Sequence, residues 1–125
     1  MSAGVTATEP LVVRKSRLQI ELDRTTTDFV NALAPDLPPL FWSLGIDHLD
    51  AITQAPLLEG IVVDAEYGEQ TAAVAEQWAE RLGLTAHAIV SGAREWSGDA
   101  LDCAAGMRRV RIWCVVDRAA WDADR

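Results

Sequence analysis

The sequence predicts an α+β fold, a two-layer sandwich in which two helices cover one face of a mainly antiparallel four-stranded sheet. Three observations support this prediction. Residues 69–83 have the apolar spacing of a single amphipathic helix. Four other segments are short apolar runs or alternate apolar and polar side chains, as strands do. The resulting order, α-β-β-α-β-β, places a helix between two hairpins, which is typical of one sheet with its helices on one side.

The first element is predicted as a helix that ends near Ala34. Four of its apolar residues share one helical face: Leu18, Leu22, Phe29 and Leu33. The alternation of Leu18, Ile20 and Leu22 also fits a strand, so residues 11–26 stay open between the two. The helix is best supported from Thr27, a typical N-cap residue, to Leu33. It ends there because Pro35, Pro38 and Pro39 follow.

The first two strands come after these prolines. Leu40 to Ile46 alternates, with Trp42 directed to one face of the sheet and Phe41 to the other. Leu57 to Ala65 is a second, mainly apolar strand. The polar residues 47–56 form the loop between them.

The long helix is predicted between the second and third strands. Its apolar face consists of Thr71, Val74, Ala75, Trp78 and Leu82. Glu69 in the first turn and Arg81 in the last turn both suit the helix macrodipole. Gly83 follows at the position that commonly ends a helix in a left-handed conformation. Trp78, the largest residue of this face, is interpreted as an anchor of the core.

The last two strands are predicted at Thr85–Ser91 and Val110–Asp117, joined by a long connection from Gly92 to Gly106. The start of this connection, Ala93–Trp96, also fits an extension of the third strand. The final strand alternates two sets of side chains: Val110, Ile112, Cys114 and Val116 against Arg109, Arg111, Trp113 and Val115. Cys114 is expected to be a small buried residue.

Composition predicts a single domain over residues 11–117, with a disordered N-terminus (1–10) and a charged tail (118–125). The first residues do not resemble a signal peptide, and no segment approaches the length of a membrane span, so a cytoplasmic protein is expected. The formal net charge of −8 disfavours nonspecific binding to nucleic acid or to an anionic membrane. Cys103 and Cys114 lack metal-type spacing, and no cofactor is expected.

A resemblance extends from Phe29 to Asp117. The segments ALAPDLPPLFW, LLEGIVV, AVAEQWAERLGL and RRVRIWCVVDR resemble small uncharacterised proteins of actinobacteria and their phages. The resemblance implies a phage or mobile-element origin. It carries over no catalytic residues, because that group has no established activity.

Protein interaction is the function that we favour from the sequence. Helices on one side would leave the other sheet face bare, with Phe41, Val115 and Trp113 among the arginines Arg109 and Arg111. Exposed aromatic and arginine residues are typical of partner surfaces. Two further tryptophans lie outside the predicted elements and join this set: Trp96 and Trp121. The predicted partner is a host protein or a second copy of the chain, as a homodimer.

Two alternatives remain at this point. Six acidic residues without a basic one among them, from Glu59 to Glu80, suggest an acidic mimic of DNA that inhibits a host DNA-binding protein through Asp64, Glu66 and Glu69. Asp47, His48 and Asp50 lie within four residues, which suggests a small metal-dependent enzyme.

Overall fold

A five-stranded open mixed sheet forms the centre of the fold in the computed structural model, which describes residues 9–125 except 51 and 53. The strands are β1 (Phe41–Ile46), β2 (Pro56–Val62), β3 (Thr85–Ala86), β4 (Ala93–Cys103) and β5 (Gly106–Val115). The helices are α1 (Lys15–Leu33), the single turn α2 (Asp64–Tyr67), α3 (Thr71–Leu82) and α4 (Arg118–Ala123). Short 3₁₀ turns lie at His48–Asp50 and Gly68–Gln70. The predicted α+β class is confirmed, and the details of the sheet differ.

The prediction of a long connection from Gly92 to Gly106 is wrong, because this segment contains the eleven-residue strand β4. Both glycines stand just outside the strand interior and adopt positive φ angles of 81° and 109°. Each glycine lies in a tight turn, where glycine is favoured for its conformational freedom. The sheet therefore has five strands instead of the predicted four.

The strand order is β1-β2-β5-β4-β3. β2 pairs parallel with β5, and the other neighbouring strands pair antiparallel. The third predicted strand, Thr85–Ser91, is shortened to two residues at the sheet edge. Beyond it the chain stays beside β4 through a 2.8 Å bond from His87 N to Glu95 O and a bridge between Val90 and Ala93.

The core lies between the sheet and the helices α1 and α3. Trp42 and Trp78 meet edge to face, with ring centroids 5.3 Å apart, and both are buried. The predicted apolar face of α3 is confirmed, since Thr71, Val74, Ala75 and Trp78 are buried and Leu82 packs against them. Gly83 ends α3 in the predicted left-handed conformation, at φ 69°. Cys114 is fully buried, and burial raises the pKa of its thiol to about 11.

Helix α1 is one continuous helix from Lys15, so the strand alternative for residues 11–26 is wrong over the helical part. Thr27 is inside the helix and is no N-cap. Its Oγ1 accepts a bond from Trp42 N (2.9 Å) and donates one to Trp42 O (3.0 Å). Asn31 does the same at the start of β1, bonding Leu40 N (3.0 Å), Leu40 O (2.8 Å) and Trp42 Nε1 (3.0 Å). Through these polar bonds α1 takes the place of a further strand beside β1.

The charged tail of residues 118–125 contains the helix α4. Asp117 caps α4 by accepting a 3.1 Å bond from Ala120 N. Arg118 binds Asp64 with two hydrogen bonds, of 3.0 and 2.6 Å, and this interaction lowers the pKa of the Asp64 carboxyl. α4 is thereby held at the sheet face opposite α1 and α3. The prediction that one sheet face would be bare is corrected at this end.

Across the described residues, every helix is too short or too polar to cross a membrane. The predicted disorder of residues 1–10 lies mostly outside the described residues, which begin at Glu9.

Candidate functional site

We call the sheet face opposite α1 and α3 the outer face. The strand register brings Glu59 of β2 beside Arg111 of β5, and Ser97 of β4 lies on the other side of Arg111. One step along the strands, Trp113 lies between Ile61 and Glu95. The face therefore carries charged residues at its middle and aromatic residues at one end.

The arginines of the outer face are neutralised by neighbouring carboxylates. Arg111 binds Glu59 at 2.5 Å and also pairs with Glu95. Burial disfavours the charge of Arg111, and its bonds to Glu95 and Glu59 outweigh this effect, so its pKa is raised. Arg109 pairs with the buried Asp47 at 3.1 Å. The cationic patch that the sequence predicts is thus satisfied within the molecule.

Trp113 is covered by the C-terminal helix. Trp121 stacks on it, with ring centroids 5.5 Å apart and planes 28° apart. Arg125 lies over the Trp121 ring, with its guanidinium carbon 3.5 Å from the centroid. Both indoles are half-buried, and Trp113 Nε1 has no hydrogen-bond partner among the described residues. The tryptophan pair closes one end of the outer face.

Two of the predicted partner-binding residues belong to the interior. Trp96 is 3% exposed because it lies on the inner face of β4, opposite Ile112, and packs in the core. Val115 is 8% exposed. Neither offers a contact surface in this fold. Phe41 at the edge strand remains exposed, and together with the covered Trp113 it is the aromatic part of the outer face.

Asp47 and His48 of the predicted metal site differ in role, and the side chain of the third residue, Asp50, lies outside the described part of the chain. Asp47 pairs with Arg109 and accepts a bond from Leu49 N at 3.0 Å, as in an Asp-stabilised turn, whereas His48 is exposed. They line a cleft of about 240 Å³ together with Glu59, Glu95 and Arg111. Among the described residues, His, Cys, Asp and Glu form no group of three suited to a metal ion.

The acidic residues of the predicted DNA mimic are dispersed. Asp64 is bound to Arg118, and Glu59 is bound to Arg111 on the outer face. Glu66 and Glu69 are exposed around the α2 turn, and Glu80 is exposed on α3. The segment thus presents no single ordered row of free carboxylates among the residues described.

An apolar groove lies on the other side of the sheet, between α1 and the end of α3. Its volume is about 400 Å³. Its lining comes from six elements: Thr25, Thr26, Phe29, Val30, Leu33, Leu44, Leu58, Leu82, Ala100, Leu101 and Val110. Because α3 ends at Leu82 while β4 and β5 continue beyond it, the inner face of the sheet is left partly uncovered there.

One wall of this groove belongs to a row of exposed apolar residues on α1. We call Leu18, Leu22, Phe29 and Leu33 the α1 stripe. Phe29 is 66% and Leu33 is 69% exposed, and Leu18 and Leu22 are about half exposed. The buried positions of the helix are Val30 and, at its C-cap, Ala34. The stripe therefore lies outside the core, because Thr27 and Asn31 turn a different side of α1 toward β1.

The groove was not predicted from the sequence, although part of its signal was present. Helical spacing identified the stripe as one face, and the lengths of α3 and β4 determine that the sheet is uncovered at the groove.

No family model, curated protein or solved structure matches this chain.

Proposed function

We propose that this chain is a non-enzymatic protein-interaction domain that binds a protein partner through the α1 stripe and the adjoining groove. The observation that carries the proposal is the continuity of the two features. Phe29 and Leu33 belong to the stripe and also form a wall of the groove. A convex row of apolar side chains and a concave apolar surface therefore make one patch.

The composition of this patch supports a protein partner. Contiguous apolar surface of several hundred Å² on a small domain is typical of an interaction site. The groove runs between a helix and a sheet and is lined almost entirely by aliphatic and aromatic side chains. Such a shape suits the apolar side of an amphipathic helix, which inserts large side chains at intervals of three and four residues.

The outer face suits a partner less well than the sequence suggests. Arg109 and Arg111 are already paired with carboxylates, and a partner would have to displace Trp121 to reach Trp113. Breaking such a pair leaves a partly buried charge without its partner, which costs free energy. We therefore place the interaction surface on the α1 side. An origin in actinobacteria or their phages stays a prediction from the sequence.

Site-specific photo-crosslinking in cells that carry the gene tests the proposal. A photoreactive amino acid replaces Phe29, and a matched control replaces Ile89, an exposed apolar residue near the β3 edge. We expect one protein to be captured from position 29 and none from position 89. The captured protein can be a second copy of this chain.

The captured protein is then purified, and its affinity is measured by calorimetry. Phe29→Glu should weaken binding at least about tenfold, because a charge is then buried in an apolar contact, whereas Ile89→Glu should leave it unchanged. Capture from neither position, equal capture from both, or equal affinities of the two variants would each contradict the proposal.

A further inference from the structure

We propose that the partner of the α1 stripe is a second copy of this chain, bound as a two-fold dimer in which the two α1 helices pack antiparallel. The inference rests on the proposed function and names the partner for the same surface. It follows from the spacing of the stripe, from the charges along α1 and from the area of the patch.

The stripe has the same spacing when it is read from either end. In an antiparallel pair centred between Thr25 and Thr26, Leu18 of one copy lies opposite Leu33 of the other. Leu22 likewise lies opposite Phe29. A two-fold interface requires one patch to be complementary to itself, and this arrangement matches each large side chain of the stripe with another large one. The smaller Thr25 and Thr26 lie at the axis, where two helices approach most closely.

The charges at the ends of α1 oppose its own macrodipole. Its first turn contains Lys15 and Arg17 and no acidic residue, and its last turn, within the described helix, contains no basic residue. A helix favours the reverse distribution. Antiparallel pairing places the basic start of one helix beside the negative end of the other, whereas the nearby Asp36 is already bound by Arg81 of its own copy. Each basic helix start then meets the negative end of a neighbouring helix macrodipole.

The distribution of charge over the whole chain favours the same pairing. Residues 14–24 contain four of the eleven basic residues and two of the nineteen acidic ones. The remainder of the chain has seven basic and seventeen acidic residues, a formal charge of −10. A dimer that lays this basic segment against the body of a second copy therefore joins opposite charges.

The patch has the size that a stable dimer needs. Six large side chains of the stripe and the adjacent strand β1 each leave about half or more of their area exposed: Leu18, Leu22, Phe29, Leu33, Leu44 and Ile46. With the groove lining they present on the order of 500 Å² of apolar surface per copy. A standard interface buries about 800 Å² per partner, of which somewhat more than half is apolar.

Analytical ultracentrifugation of the full chain measures the association. We expect a dimer with a dissociation constant below about 10 µM. Leu22→Glu should weaken it at least about tenfold, because each new carboxylate would face Phe29 of the other copy. Ile20→Glu is the matched control, since Ile20 is equally exposed (53% against 52%) and projects from the opposite side of α1. It should change the constant less than about threefold.

A chain that stays monomeric at about 200 µM, or equal effects of the two variants, would overturn the inference. Circular dichroism of both variants establishes that α1 is retained.

A thiol cross-link tests the helix direction independently of these variants. In a Cys103→Ser background, one preparation carries Leu22→Cys and another carries Phe29→Cys; Cys114 is buried and stays in place. A short thiol-specific linker should join the mixed variants to each other at least about fivefold more than either variant to itself. Preferential joining of Leu22→Cys to its own kind would indicate a parallel pair and refute the proposed arrangement.

The two proposals fail in different ways. If the chain is monomeric and position 29 captures a different protein, the second copy is refuted and the interaction surface is retained. If the chain is monomeric and position 29 captures nothing, both proposals are refuted.

Discussion

Asn31 is the residue whose removal should most clearly separate helix α1 from the sheet. Its amide makes three bonds to β1 and the residue before it, two with the backbone of Leu40 and one with the indole of Trp42. A hydrogen bond contributes about 0.5–1.5 kcal/mol net, and a buried donor or acceptor left without a partner costs about 1–3 kcal/mol. Leu40 and Trp42 are both buried. We therefore expect Asn31→Ala to lower the free energy of unfolding by about 3 kcal/mol.

Urea unfolding followed by tryptophan fluorescence measures this loss, with the slope against urea unchanged if the native state is retained. All samples are compared at one protein concentration, because association adds to apparent stability. Gln19→Ala is the control: its amide bonds only the exposed Asp23 on the same helix, and the expected change is below about 0.5 kcal/mol. A loss below about 1 kcal/mol for Asn31→Ala would refute the argument that these bonds hold α1 in place.

Two further predictions concern the inner core and the C-terminal helix. Gly60→Ala should destabilise the fold by about 1–3 kcal/mol in the same assay, because a Cβ at position 60 would lie 2.7 Å from the buried Trp42 ring. Gly45→Ala is the control and should not destabilise the fold, because a Cβ at position 45 meets no described atom within 4 Å. Acid should release α4. The hydrogen bonds from Arg118 lower the pKa of Asp64 from its ordinary value of 3.8. The pair therefore contributes its full stability above pH 3.8 and loses it as the pH falls through the lowered pKa of Asp64. Near-ultraviolet circular dichroism of the Trp113–Trp121 stack should report this transition below about pH 4, and Asp64→Asn should weaken the signal already at neutral pH. A stack that is unaffected by Asp64→Asn would contradict the anchoring role of the pair.

The sequence predicted the elements whose side chains repeat without interruption. α3 and β5 each bury a regular set of large apolar residues, and spacing alone identified both. β4 was missed because Gly98 lies in its middle, the register shifts between Asp99 and Leu101, and its outer positions are charged or small. These features dilute the period-two pattern on which strand prediction depends.

The orientation of α1 shows a different limit. Helical spacing establishes which side chains share a face, and it does not establish what that face contacts. In this chain the helix is fixed by two polar side chains, Thr27 and Asn31, which bond a distant strand. Such long-range bonds leave no periodic signal. The same reason explains why the groove, formed by six elements of different lengths, could not be predicted, while the apolar residues that line one of its walls could be named.

The unequal ends of the sheet limit how it can grow. At β1 the position of a neighbouring strand is taken by α1, whereas residues 85–90 follow the opposite end as a solvent-facing run of Thr, Ala, His, Ala, Ile and Val. Free backbone groups on such an edge are an aggregation risk, which an edge strand as short as β3 reduces. Two molecules joined along this run would have helix-occupied borders on both outer sides. Edge pairing alone would therefore end at a sheet of ten strands, five from each molecule.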